Sequence, residues 1–142
     1  MSAVKLVAVF AENKRGQTAH ITEVLAAANL NIRWVTIASV GTFGVMKFLV
    51  NDYRLAHEAL KHEGYVTTLM DVLAVEVADQ PGALRAVAEC LAESGVNLDN
   101  TSGFVANRRA ILILEVQNVP LAREALQKRN LRVLTQEEML SL

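Results

Sequence analysis

Apolar and polar positions along the chain follow two rhythms. Runs of strand length, "KLVAVFA" (5–11) and "VLAVEVA" (72–78), are rich in β-branched residues. After each, apolar residues recur at helical spacing: Ile21, Val24, Leu25 and Ala28 in one case, Leu84, Val87, Ala88 and Leu91 in the other. Asn29 and Gly95 suit the ends of these helices, where a left-handed residue is common. The order then continues with a second strand, a hairpin at Gly41–Gly44 or Asn107–Arg108, and a third strand, "FGVMKFLV" (43–50) or "AILILEV" (110–116). Second helices, "DYRLAHEALKHEG" and "VPLAREALQKRN", lead into short strands, "YVTTL" and "LRVL". Thr135 is a candidate N-cap for a terminal helical turn.

The two halves are copies. At an offset of 66, residues 6–66 lie over 72–132 without a gap, with identities at Ala8, Val9, Gly16, Glu23, Leu25, Ala26, Asn31, Val50, Leu55, Ala56, Glu58, Ala59 and Leu60. "LAHEAL" (55–60) over "LAREAL" (121–126) is the clearest block. The pattern predicts an α+β fold, ferredoxin-like βαββαβ repeated twice, with antiparallel sheets and helices on one face. The expected domains are residues 1–70 and 71–142, joined near Leu69–Val72. "AILIL" is apolar at consecutive positions, so both faces of that strand are expected to be covered, the second by the sister repeat or another chain.

Composition narrows the function. The chain has 142 residues, a formal net charge of -1, 52% hydrophobic, 20% charged and 5% aromatic residues. This is a globular balance. It lacks the basic face and the aromatic platforms of nucleic-acid binders. No apolar run reaches membrane-spanning length, and the N-terminus reads as a first strand instead of a secretion signal. Cys90 is the one cysteine, which removes disulfide and cysteine–metal frameworks and, with the missing signal, predicts a cytoplasmic location. "HEALKH" misses the H-E-x-x-H zinc spacing by one residue, so no metal is expected. No nucleophile–base set stands out, so no catalytic residue is assigned, and no cofactor.

"DQPGAL" (79–84) follows the first strand of the second repeat, and "GVNLDN" (95–100) follows its first helix. The first repeat keeps the frame as "ENKRGQT" (12–18) and "NLNIRWVTIAS" (29–39). With these motifs in a doubled βαββαβ order, the chain resembles the ACT domain family, and in particular stand-alone proteins made of two ACT domains. The resemblance covers about residues 4–134. It implies an amino-acid-binding regulatory module whose ligand sits at a domain interface, between the loop before the first helix and the start of the second strand. On this sequence those positions are Asn13, Lys14, Arg15, Gly16, Gln17, Asn31 and Ile32 in the first repeat. In the second they are Asp79, Gln80, Pro81, Gly82, Ala83, Asn97 and Leu98.

The chemistry of those residues suits an amino acid. Glycine at the corner admits close backbone approach. Pro81 fits a helix start, where its missing N–H costs nothing. Free amides at a helix N-terminus attract a carboxylate. Asp79 or Asn13 can accept from an ammonium group, and Asn31 or Asn97 can donate and accept near the same corner. Arg15 for Pro81 and Asn13 for Asp79 make the first loop more basic, so it favours an anionic group. Structural roles compete at each place: Asp79 as an N-cap, the two asparagines as turn residues, Trp34 as a core or interface aromatic, Cys90 as a packed small residue.

The expected function is therefore a non-catalytic regulator that binds a small molecule, an amino acid above others, and acts in trans as a homodimer or higher homo-oligomer. One alternative is a ligand-free assembly or regulatory subunit of an amino-acid biosynthetic enzyme, similar to the small subunit of acetolactate synthase. A remoter one is an acylphosphatase-like enzyme, for which "ENKRGQT" offers a poor phosphate cradle. No nucleic-acid or membrane partner is expected.

Overall fold

The computed structural model describes residues 3–142. Residues 5–70 form one compact unit, and residues 71–142 with the start of the first strand form another. The first unit runs β1 (Val4–Glu12), α1 (Gln17–Ala27), β2 (Ile32–Val40), β3 (Phe43–Val50) and α2 (Tyr53–His62), then the first half of β4 (Val66–Val77). The second takes the other half of β4, then α3 (Ala83–Glu93), β5 (Leu98–Ala106), β6 (Arg109–Val116), α4 (Val119–Lys128) and β7 (Arg132–Leu134), with a short helix α5 (Gln136–Leu140) at the end. Both units are βαββαβ, with strand orders β2-β3-β1-β4 and β5-β6-β4-β7. This is the ferredoxin-like plan.

One element differs from the sequence reading. "YVTTL" and "VLAVEVA" are expected as separate strands, yet Val66–Val77 is continuous. Between Leu69 and Val72 there is no Gly or Pro to break the strand, and Asp71 alone does not turn it, so the chain stays extended through Met70 and Asp71.

Each core sits between one sheet face and two helices. In the first unit Val7, Val9 and Ala11 of β1 and Met46, Phe48 and Val50 of β3 meet Ile21, Leu25, Ala56 and Leu60. In the second, Leu73 and Val75 of β4 and Leu114 of β6 meet Val87, Cys90, Leu91, Ala122 and Leu126. Cys90 is buried, and its thiol donates to the Ala125 carbonyl at 3.3 Å, so it is a packing residue. Ile111 and Ile113, which alternate with the core-facing residues of β6, are buried as well.

Turn chemistry is duplicated with the fold. Asp52 and Asn118 cap α2 and α4, each accepting from an amide three residues on, Leu55 or Leu121, at 3.1 Å. All four long helices end in the same double bond from the two residues after the cap. In α1 Asn29 donates to Ala26 and Leu30 to Leu25; in α3 Gly95 donates to Ala92 and Val96 to Leu91. Asn29, with φ 58°, and Gly95, with φ 74°, hold the left-handed positions assigned to them from sequence. Asn107 (φ 51°) and Arg108 (φ 62°) form the type I′ turn of the second hairpin. Thr135 caps α5 in a reciprocal box with Glu138.

Candidate functional site

The strand-to-helix corner is built identically in the two units. The Gln17 amide donates to the Lys14 carbonyl at 3.1 Å, and Ala83 donates to Gln80 at 3.3 Å. Gly16 (φ 85°, ψ -8°) and Gly82 (φ 89°, ψ -5°) take the third place of each turn. These are type II β-turns, with Arg15 or Pro81 in second place. The glycine is therefore fixed by its left-handed backbone. A Cβ at either position would meet nothing within 4 Å, so open space lies over both turns. Two sequence-level readings change here. Pro81 sets the turn one residue before the cap instead of opening the helix. Asp79 does not cap α3: Gly82 is the N-cap, with no side-chain bond.

The amides of Leu84 and Arg85 lie in the first turn of α3 with no partner among the described residues, as do those of Thr18 and Ala19 in α1. Such amides carry partial positive charge outward. The side chains beside them differ in sign. In the first unit Lys14 reaches Glu12 at 3.6 Å while Arg15 stands free among the described residues. In the second, the exposed Asp79 carboxylate has no partner among them.

Asn31 and Asn97 fall elsewhere. Each follows the C-terminus of its helix, and 11 residues of helix put about 16 Å between the two ends. Within a unit the asparagine and the turn therefore do not share a corner, and the sequence-level placement is corrected. The Asn31 amide donates to Asn51 Oδ1 at 2.9 Å, and Asn97 Nδ2 donates to Asp99 Oδ1 at 2.8 Å. Ile32 and Leu98 are half-buried at the start of β2 and β5, where both strands shift register, at Ile32/Trp34 and Leu98/Asn100. Asn13 hydrogen-bonds through its backbone to Thr42, at 2.6 Å.

The second unit adds residues that no motif marked. A cavity of about 560 Å3 opens between the Gln80–Ala83 turn and the α4–β7 connection, with Glu76, Ala86, Leu131 and Arg132 in its wall. The register of β4 on β7 sets Glu76 opposite Arg132. Glu76 Oε1 accepts from Arg109 Nη2 at 2.6 Å and Nε at 3.0 Å, and from Arg132 Nη1 at 3.4 Å. Arg132 also pairs with Glu138. The Arg109 hydrogen bonds hold the Glu76 carboxyl below its usual range, against a smaller opposing effect of burial. Glu138 is lowered by the Thr135 backbone bond first and by Arg132 next. The signal for this cavity lies in the repeat alignment: Ala86 and Leu131 are small or flexible where the first repeat has His20 and Tyr65. A second hollow of about 240 Å3 lies on the other side of the turn, against Asp79, Leu84, Phe104 and Leu112.

Among the described residues, no three His, Cys, Asp or Glu side chains gather as a metal site, and no helix is long and apolar enough to cross a membrane.

A doubled ferredoxin-like unit with a glycine turn at the mouth of each first helix is the architecture of paired regulatory domains. The family model for an ACT domain pair matches residues 1–142, and the chain belongs to that family. Protein BT0572 from Bacteroides thetaiotaomicron, a crystal structure, is similar over 99% of this chain and 98% of its own, at 29% identity and TM-score 0.92. The regulatory subunit of aspartate kinase from Thermus thermophilus, in a ligand-free form, shares the fold over 89% of this chain and 90% of its own, at 19% identity and TM-score 0.66. The corresponding subunit from Thermus flavus does so over 90% and 93%, at 15% identity and TM-score 0.60. Among curated proteins none matches the sequence.

Proposed function

We propose that the chain is a non-catalytic regulatory protein that binds a free amino acid and acts in trans, as a homodimer or higher oligomer, on a metabolic enzyme in the cytoplasm. The observation that carries this reading is the duplicated turn. Two repeats that differ at Arg15/Pro81 and Asn13/Asp79 keep one glycine conformation, φ 85° and 89°, with unpaired amides behind it. Capping alone would not require it, since Asp52 and Asn118 show that these repeats cap helices with side chains where only a cap is needed. In an ACT domain pair, amides presented this way suit the α-carboxylate of an amino acid, and Asp79 suits the ammonium. The candidate ligand residues are Asn13 to Gln17 and Asp79 to Ala83. Asn31, Ile32, Asn97 and Leu98 would join them from a second copy of the chain, since no unit brings both sets together. A thermal-shift screen against the twenty amino acids tests this. A selective rise in stability supports it, and binding at a hundredfold excess over Kd adds about 2.7 kcal/mol. No shift with any of them overturns it.

A specific observation also favours an assembly role. Val35, Ile37, Val40 and Phe43 on the β2–β3 hairpin are 44–88% exposed, an apolar surface suited to a partner subunit. The fold shared with aspartate kinase regulatory subunits makes an amino-acid biosynthetic enzyme a candidate partner for this face. Capture of such an enzyme from lysate, lost in Val40→Lys/Phe43→Lys, is the expected result.

A further inference from the structure

The two repeats diverge at one place where the fold itself does not. At the offset of 66, the cavity wall Glu76, Ala86, Leu131 and Arg132 corresponds to Phe10, His20, Tyr65 and Val66. In the first unit His20 and Tyr65 share a hydrogen bond, His20 Nδ1 to Tyr65 Oη, with ring centroids 5.6 Å apart. Burial, then the charge of Glu63, raises the Tyr65 phenol above its usual value, so it stays protonated. Two side chains of the protein thus meet across the corner that alanine and leucine leave open in the second unit. The charges diverge in step. Phe10 and Val66, at 39% and 68% exposure, stand where Glu76 and Arg132 face each other.

We infer that the second unit alone is the binding unit: its cavity takes one small zwitterion per chain, a short-chained α-amino acid, on Glu76 and Arg132, while the first unit fills the equivalent corner with His20 and Tyr65. This rests on the amino-acid reading above and departs from its assignment in two respects: the site is narrowed to the second unit, and the ligand charges fall on Glu76 and Arg132 in place of Asp79 and the turn amides. The fit is chemical. Among the described residues all the bonds to Glu76 fall on Oε1, which leaves Oε2 to accept an ammonium. Arg132 is 58% exposed and touches Glu76 only at 3.4 Å, so its Nη1 can pass from Glu76 to a ligand carboxylate while Nη2 keeps Glu138 and Arg109 keeps Glu76 in place. The volume of about 560 Å3 lies within the range of small-molecule sites, and Ala83, Ala86 and Leu131 leave room for a short apolar side chain.

Three variants of the full chain test this by calorimetry, each checked for native circular dichroism. The probe is whichever of the twenty amino acids stabilises the wild type. Ala86→His/Leu131→Tyr copies the filled corner into the second unit and is expected to weaken binding at least tenfold. Ala86→Leu serves in its place if that pair misfolds. Glu76→Gln is expected to weaken binding by a similar factor while leaving the fold intact. His20→Ala/Tyr65→Leu empties the first corner without adding charge, and is expected to leave both affinity and one-per-chain stoichiometry unchanged. Binding that survives the filled-cavity variant within threefold, or falls tenfold with His20→Ala/Tyr65→Leu, overturns the inference and leaves the amino-acid reading standing. A wild type that binds none of the twenty overturns both.

Discussion

The two repeats share their backbone in detail and differ in what lines one corner. Caps, helix ends, glycine turns and strand shifts coincide position by position, from Asp52/Asn118 to Gly16/Gly82. Yet the corner behind the turn holds His20, Tyr65, Phe10 and Val66 in one unit and Ala86, Leu131, Glu76 and Arg132 in the other. Backbone geometry is set by a few residues with special dihedral demands, so it survives duplication. A cavity wall makes no such demand, and its side chains are free to diverge. Identity between repeats therefore marks how the fold is made, and difference marks where the copies took separate roles.

The largest effects test the shared part. Phe48 and Leu114 are equivalent by offset and both lie fully in their cores. Phe48→Ala is expected to cost about 3–5 kcal/mol and Leu114→Ala about 2–5 kcal/mol, read from urea unfolding. Near-zero loss at either would break the equivalence of the cores. Next are Gly16→Val and Gly82→Val. With open space around each Cβ, the cost comes from the left-handed backbone alone, about 1–3 kcal/mol, and is the same in both units. Asn tolerates this conformation better, so Gly→Asn costs visibly less at both positions. Asp52→Ala and Asn118→Ala follow at about 1 kcal/mol each, matched because the bonds are matched, at 3.1 Å.

The smallest effect probes the difference. Glu76 and Glu138 titrate lower in the folded chain than their ordinary value of 4.5. Their contribution is complete above that value and is lost as pH falls through it toward the folded values. Protection factors for hydrogen exchange at β7, taken against the intrinsic rate at each pH, should fall below about pH 4.5, and less so in Glu76→Gln. The first unit has Phe10 at that position and should show no such step there. Fluorescence cannot replace exchange in this test, because the single Trp and both Tyr residues, Trp34, Tyr53 and Tyr65, lie in the first unit.

Much of this was legible in the sequence because it is periodic or duplicated. The offset aligned the four long helices and both hairpins, and Asn29, Gly95, Asn107–Arg108 and Thr135 named their own turns. The continuity of β4 was hidden because the sequence signals where a strand may end, and charged Asp71 reads as such a place. The turn position of Pro81 was missed because proline suits both a helix start and the second place of a type II turn. Asn97 was set beside Gly82 because motif spacing omits helix length: the α3 helix carries the two apart. The cavity was out of reach because Glu76 meets Arg132 only through the β4–β7 register, across 56 residues of chain.

The bond from Gln17 to Lys14 also bears on digestion. Lys14 and Arg15 are both exposed and both trypsin targets, but a type II turn is not the extended strand a protease binds. Cleavage there requires the turn to open first. The rate of nicking after Arg15 under native conditions therefore clocks that opening, whereas the matching turn, with Gln80 and Pro81, gives trypsin nothing to cut. The bonds after Lys14 and Arg15 thus serve as a natural timer for the first corner.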